Sequence, residues 1–198
     1  EIDSAITEIK NKKFNITDIS SKVVSRNPSG PFTTSTLQQV ASSRLGFGAS
    51  RTMQIAQRLY QGIEIDGETI GLITYMRTDG TNLSVDAITD FRDFVKNNYG
   101  NDYLPEKPLN YSAKKAKNAQ EAHEAIRPTD ISRTPDSLKK YLSSDQQKLY
   151  KLIWGRALSS QMETAKFDRN TITITTDDNA TICKTSGSVL KFDGFLKV

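Results

Sequence analysis

Thr171-Ile172-Thr173-Ile174-Thr175-Thr176 alternates polar and apolar side chains one by one, and Asp177-Asp178-Asn179 supplies a turn before Ala180 to Thr185 resumes the pattern. A period of two marks a strand with one covered face, because successive side chains leave a pleated chain on opposite sides. Val189 to Val198 is expected to add a third strand, with Gly194 as a bulge. Upstream of Phe167 the period changes to that of helices. Ser144 towards Thr164 carries Leu149, Leu152, Ile153 and Ala157 on one face, and Pro135 to Tyr141 reads as a minor helix. Ser84 is placed to cap a helix with Val85, Ile88, Phe91 and Val95 inward, closing near Gly100. Two earlier helices are expected. One is capped by Ser35 or Thr36 and ended by Gly46; the other is capped by Ser50 and stopped by Gly62. Residues 14–26 return to β-branched, partly alternating sequence and end at Asn27-Pro28-Ser29-Gly30-Pro31. The pattern predicts a mixed α and β chain: a mainly helical domain, residues 33–165, inserted between β-rich segments 1–32 and 166–198. The distant strands are expected to pair in one sheet.

Within the helical region, Ile70-Gly71-Leu72-Ile73-Thr74-Tyr75-Met76 reads as a buried strand that runs into the turn cluster Thr78-Asp79-Gly80-Thr81-Asn82, with Gly80 free to take positive φ. Tyr75 and Arg77 thus sit where a rigid scaffold meets a loop, the usual place for a side chain aimed at a substrate. A tyrosine beside an arginine suits attack on a phosphodiester. Phenol ionises near pH 10, so about one in a thousand is phenolate at neutral pH. A guanidinium nearby favours that anion and can hold a non-bridging phosphate oxygen as charge builds there. The alternative is a strand tyrosine followed by a solvated arginine.

The flanking residues favour the first reading. Ile73 through Ser84 resembles the active-site segment of type IA DNA topoisomerases, Gln120-Glu121-Ala122-His123-Glu124-Ala125-Ile126-Arg127-Pro128-Thr129 resembles the family's second signature, and Pro31 to Gln39 is similar to the run entering its helical gate domain. The three occur in the family's order, and Met76 favours the bacterial topoisomerase I branch. Gly80 departs from the serine common at that place.

The resemblance implies a fragment of an enzyme that cuts and reseals one DNA strand without ATP. Tyr75 would form a 5′-phosphotyrosine link, Arg77 would act beside it, and the helical domain would swing on the β-rich hinge arm while another strand passes, relaxing negative supercoils. His123 has two readings, a structural hydrogen-bonder or a group near the scissile phosphate. A helical spacing of four would put it on one face with Arg127, facing the DNA backbone. The substrate implied is single-stranded or underwound duplex DNA. The family's Mg2+ belongs to an acidic toprim domain not found in this sequence, so no cofactor is expected on this chain and the fragment alone is expected to be inactive. The remaining domains of the parent chain are its expected partners. A non-catalytic DNA-binding module built on the helix pair at residues 35–61 is the alternative.

Composition sets outer bounds. In 198 residues no apolar run approaches the roughly 20 needed to span a bilayer, so a membrane protein is excluded. Cys183 is the only cysteine and His123 the only histidine, which rules out an internal disulfide and a zinc cluster. A reducing bacterial cytoplasm, with association to the nucleoid, fits. Net charge of +4 permits nucleic-acid binding without requiring it, and Lys114, Lys115 and Lys117 read as a solvated face. The opening Glu1-Ile2-Asp3, without methionine, and the ending at Lys197-Val198 suggest an excised piece of a longer protein.

Overall fold

The computed structural model describes residues 2–10, 12–111 and 123–198; Lys114, Lys115 and Lys117 lie outside them. The regular elements in chain order are α1 (Ile2–Lys10), β1 (Phe14–Arg26), α2 (Thr34–Leu45), α3 (Ala49–Gln61), β2 (Ile63–Ile65), β3 (Glu68–Ile70), α4 (Val85–Tyr99), α5 (Ser144–Ser159), β4 (Ala165–Thr176) and β5 (Ile182–Phe192). They fall into a sheet unit, residues 1–26 and 164–194, and a helical unit, residues 27–163 and 195–198. The fold is mixed α and β, with the helical residues inserted between the strands that build the sheet.

In the sheet unit the antiparallel order is β1-β4-β5, so strands far apart in sequence do pair. The alternating residues that announced β4 sit opposite like partners, Ile16 with Ile174 and Ile19 with Ile172. Asn179 takes φ 58° in the β4–β5 turn. Asp178 accepts from the Thr176 hydroxyl at 2.6 Å and the Ala180 amide at 3.1 Å, and meets the Lys12 ammonium at 2.7 Å. These donors, Lys12 foremost, hold its carboxyl well below the usual range. Two expectations fail here. The last strand is one continuous β5 ending at Phe192, and Gly194–Lys197 forms a 3-10 turn in place of a bulged strand. The segment before Phe14 opens with helix α1 rather than strand.

The helical unit closes on a core that includes Phe32, Leu37, Leu59, Ile73, Met76, Phe91, Leu149, Tyr150, Ile153 and Leu158. Thr33, not Ser35 or Thr36, caps α2, in a reciprocal capping box with Thr36, and Gly46 ends it in the left-handed region. Gly48 rather than Ser50 opens α3. Ser84 caps α4 as expected, accepting from the Ala87 amide at 3.3 Å. Its buried stripe is Ala87, Phe91 and Val95, while Val85, expected inward, is 79% exposed. Helix α5 stops at Ser159, short of Thr164, and residues 135–141 form successive hydrogen-bonded turns rather than a helix.

Between α3 and the Tyr75 segment the chain makes a hairpin that the sequence reading passed over. Strands β2 and β3 pair Ile63 with Ile70 and Ile65 with Glu68, around Asp66 (φ 50°) and Gly67 (φ 92°). Two successive positive φ values are what a two-residue hairpin turn needs, and Asp-Gly is its strongest sequence sign.

Candidate active site

Residues 71–82 carry no regular strand, contrary to the reading of a buried strand through Met76; β3 ends at Ile70. Exposure nevertheless alternates. Met76, Thr78 and Gly80 are buried, while Tyr75, Arg77 and Asp79 are exposed. Burial of the even-numbered side chains anchors the segment and leaves the odd-numbered ones facing water.

The anchoring comes from the two other segments singled out in the sequence. On one side, the Thr34 hydroxyl donates to the Met76 carbonyl at 2.8 Å and accepts from the Thr78 amide at 2.8 Å, while the Thr34 amide donates to the Thr78 carbonyl at 2.8 Å. On the other, the Thr74 amide donates to the Arg127 carbonyl at 2.9 Å. The Thr74 hydroxyl donates to the Ala125 carbonyl at 2.7 Å and accepts from the Arg127 amide at 3.0 Å. Thr129 continues the seam, its amide donating to the Leu72 carbonyl at 3.0 Å and its hydroxyl to the Gly71 carbonyl at 2.7 Å. The Ile126 amide donates to the Phe32 carbonyl at 2.8 Å, which closes the ring of contacts between the first and third segments. Segments about 40 and 50 residues away in sequence therefore converge on the one bearing Tyr75.

Tyr75 is 50% exposed, and its ring meets that of Tyr60 edge-on at 5.3 Å. Among the described residues neither its hydroxyl nor the Arg77 guanidinium is engaged by a hydrogen bond or ion pair.

His123 does not sit on a helix. Residues 123–128 are extended, bridged to Asn82, Phe32 and Ile73, and residues 120–122 lie outside the described ones. The expected helical face shared by His123 and Arg127 is thereby overturned, because the backbone is spent on pairing with three separate segments. His123 Nδ1 lies 3.6 Å from Asp79 Oδ1, with both side chains largely exposed. The same approach explains Gly80. It does not adopt positive φ, as had been expected; instead a Cβ built there would overlap the His123 carbonyl. In this chain it is the close approach of the His123 carbonyl, not dihedral freedom, that the absent side chain of Gly80 allows.

Arg127 is inward-turned. Its Nε donates to Glu124 at 2.7 Å, one terminal nitrogen to the Pro128 carbonyl at 2.9 Å, and the side chain is only 15% exposed. Glu124 also accepts from the Ser84 amide at 3.0 Å, tying this strip to the start of α4. Burial pushes the Glu124 carboxyl up, but the bonds from Arg127 and Ser84 outweigh it and hold it below its ordinary value. Arg127 thus builds the site's frame. Thr34, Thr74 and Tyr60 line the candidate site without having been read as site residues, whereas Glu124, expected to form an ordinary ion pair with an arginine, does so with Arg127. The run from Pro31 to Gln39 was singled out by resemblance and by its cap, but nothing local marked the long-range bonds of Thr34.

No group of three His, Cys, Asp or Glu side chains among the described residues could hold a metal ion. The divalent ion implied by the resemblance therefore finds no ligand set among the described residues. Among the described residues no helix is long and apolar enough to cross a membrane.

Comparison with known proteins places this geometry. The DNA topoisomerase family model matches residues 1–198. DNA topoisomerase 1 of Rickettsia prowazekii is 53% identical over 191 residues, which cover 96% of this chain and 24% of that protein. The Haemophilus influenzae protein of the same name is 48% identical over all 198 residues, 21% of its own length. The solved structure of full-length topoisomerase I from Thermotoga maritima superposes with a TM-score of 0.84 at 39% identity, covering 98% of this chain and 31% of that one. The chain thus spans about a quarter of the curated relatives it matches. With a whole-chain family match, close bacterial relatives and the three converging segments, the chain belongs to the DNA topoisomerase family, in its bacterial topoisomerase I branch.

Proposed function

We propose that this chain supplies the strand-cleaving tyrosine of a type IA DNA topoisomerase. The convergence of three separate segments on one loop, which leaves Tyr75 and Arg77 exposed and, among the described residues, without a hydrogen bond or ion pair, is the observation that carries this reading. Such convergence is costly for a mere surface loop and is what aiming a nucleophile requires.

In the proposed step the Tyr75 oxygen, on losing its proton, attacks the phosphorus of a single-stranded segment. A phosphorus–oxygen bond forms to the tyrosine, and the bond to the 3′ oxygen breaks, leaving a 3′-hydroxyl. Arg77 neutralises a non-bridging oxygen as charge develops. Resealing reverses both bonds, so the phosphodiester's energy is conserved in the covalent link and no ATP is consumed. His123, paired with Asp79, acts as a positioning group for the backbone phosphate. Arg127 acts indirectly, by holding the strip that carries His123. The helical unit travels with the cut end while the sheet unit serves as its hinge arm, and passage of a strand relaxes negative supercoils. The parent works on DNA in the bacterial cytoplasm, with Mg2+ bound by its other domains, and this chain alone does not turn over.

Labelled single-stranded DNA incubated with the parent enzyme and quenched in detergent tests the reading. A covalent protein–DNA adduct is expected, and Tyr75→Phe abolishes it. An adduct undiminished in that variant refutes the assignment.

A further inference from the structure

Helix α3 ends at Gly62, and the chain returns through the β2–β3 hairpin to lie against the helix it has just left. Two contacts pin the return. The Leu72 amide donates to the Leu59 carbonyl at 2.8 Å, and Gly71 packs so closely that an added Cβ would come within 2.7 Å of the Tyr60 carbonyl. The backbone at 59–60 is thereby fixed against 71–72, three residues before Tyr75.

Above this seam the rings of Tyr60 and Tyr75 meet edge to face, centroids 5.3 Å apart and planes at 62°. Tyr60 lies off the buried stripe of α3, formed by Thr52, Ile55, Ala56 and Leu59, and is 40% exposed. Core packing therefore does not account for its ring. Edge-to-face is the arrangement that the ring quadrupoles favour. The Tyr75 hydroxyl has no hydrogen-bond partner among the described residues, so the Tyr60 ring contact acts on this side chain without a competing polar tether.

From this we infer that Tyr60 is a positioning residue for the nucleophile: its ring restricts the rotamers of Tyr75 so that the phenolic oxygen is presented to the phosphate. The inference rests on the assignment of Tyr75 above. Tyr60 does not touch the reacting atoms. It acts by lowering the cost of reaching the attack geometry, so its effect belongs in the rate of cleavage and not in DNA affinity. The ring is required and the hydroxyl is not.

The test uses the full-length parent enzyme, with single-turnover adduct formation at saturating single-stranded oligonucleotide and, separately, the oligonucleotide's dissociation constant. Tyr60→Leu is expected to slow adduct formation about two- to ten-fold, the range of an aromatic pair, with affinity unchanged. Tyr60→Phe is expected to restore the rate. Thermal melting of both variants controls for folding, and the half-exposed position of the ring predicts little change. An unchanged rate in Tyr60→Leu overturns the inference. So does an equal loss in Tyr60→Phe, which would assign the effect to the hydroxyl, or a loss confined to affinity, which would make Tyr60 a base-stacking platform. Tyr75→Phe, run alongside, separates the two levels: persistence of the adduct there overturns the assignment of the nucleophile itself.

Discussion

Replacing Thr34 by valine tests whether the loop bearing Tyr75 is held by one hydroxyl. Valine keeps the branched shape and removes only the oxygen, which donates to the Met76 carbonyl and accepts from the Thr78 amide, each at 2.8 Å. Both groups belong to residues less than 8% exposed, so water cannot readily replace the lost partner. The Thr78 carbonyl is spared, since the Thr34 amide still donates to it. Each buried group left without a bond costs about 1–3 kcal/mol. The two together should cost about 2–6 kcal/mol, a large part of the roughly 5–15 kcal/mol that stabilises a typical domain. Trp154, the only tryptophan and buried in the helical unit, reports the loss as a lower urea midpoint by fluorescence. Adduct formation by the parent enzyme should fall as well, because the segment from Met76 to Thr78 brackets Arg77. Thr34→Ser retains the oxygen and should lose less than half as much on both measures. If valine matches wild type in midpoint and in cleavage, or if serine and valine are equally impaired, the hydroxyl is not the anchor and the reasoning fails.

Further outcomes follow from neighbouring contacts. Arg77→Lys should cut the cleavage rate about 10²–10³-fold, since a point charge does not reproduce the planar fork; equal rates would show Arg77 to be merely solvated. Gly80→Ser introduces a Cβ into the space of the His123 carbonyl, so it should destabilise the helical unit by about 1–3 kcal/mol, read as a drop in melting temperature. Glu124, its carboxyl held down by Arg127 and Ser84, contributes stability above the unfolded value near 4.3 that disappears as pH falls through its lower folded value; Glu124→Gln should flatten that acid limb in a pH series of denaturation midpoints. Tyr111, pushed up to about 12 chiefly by burial, works in the opposite sense, so stability should decline between pH about 10 and 12 and Tyr111→Phe should weaken that decline.

Much of the sheet unit was legible because Thr171 to Thr176 alternates strictly and residues 14–26 are β-branched and partly alternating, which marks the strands that pair as β4 and β1. Helix α4 was legible from Ser84 and the spacing of Phe91 and Val95, yet Val85 was misplaced because the first residue of a helix often escapes the packed stripe that begins a turn later. The Tyr75 segment misled for a physical reason. Its threonines and isoleucines are residues that favour strands, but before Tyr75 backbone pairing with the strip 125–129 is confined to residues 72–74, and after it the Thr34 hydroxyl takes over as hydrogen-bond partner of Met76 and Thr78. His123 and Arg127 show the same limit. A spacing of four is compatible with one helical face and equally with an extended strip, and only the bonds to Asn82, Phe32 and Thr74 decide between them.

These threonines connect the chemistry to the architecture. A regular strand would hold Tyr75 through backbone ladders, but a ladder fixes the chain along a sheet and leaves it little freedom to bend. Between Thr74 and Thr78 the backbone bends; Thr34 from the start of α2 bonds its Met76 and Thr78 groups, the Arg127 carbonyl accepts from the Thr74 amide, and the Thr74 hydroxyl reaches across to the Ala125 carbonyl and the Arg127 amide. Side-chain hydroxyls can satisfy backbone groups at angles a ladder cannot reach, so the segment bends while Thr34 holds the Met76 carbonyl and the Thr78 amide. The curvature leaves Tyr75, Arg77 and Asp79 exposed while Met76 and Thr78 stay buried. Tyr60 then restrains the one ring that the backbone bonds cannot orient. On this account, fixing the backbone and fixing the nucleophile are separate tasks carried by different residues. Thr34→Val should therefore lower stability and cleavage together, whereas Tyr60→Leu should lower cleavage alone. Identical stability losses in the two variants would show that the division does not exist.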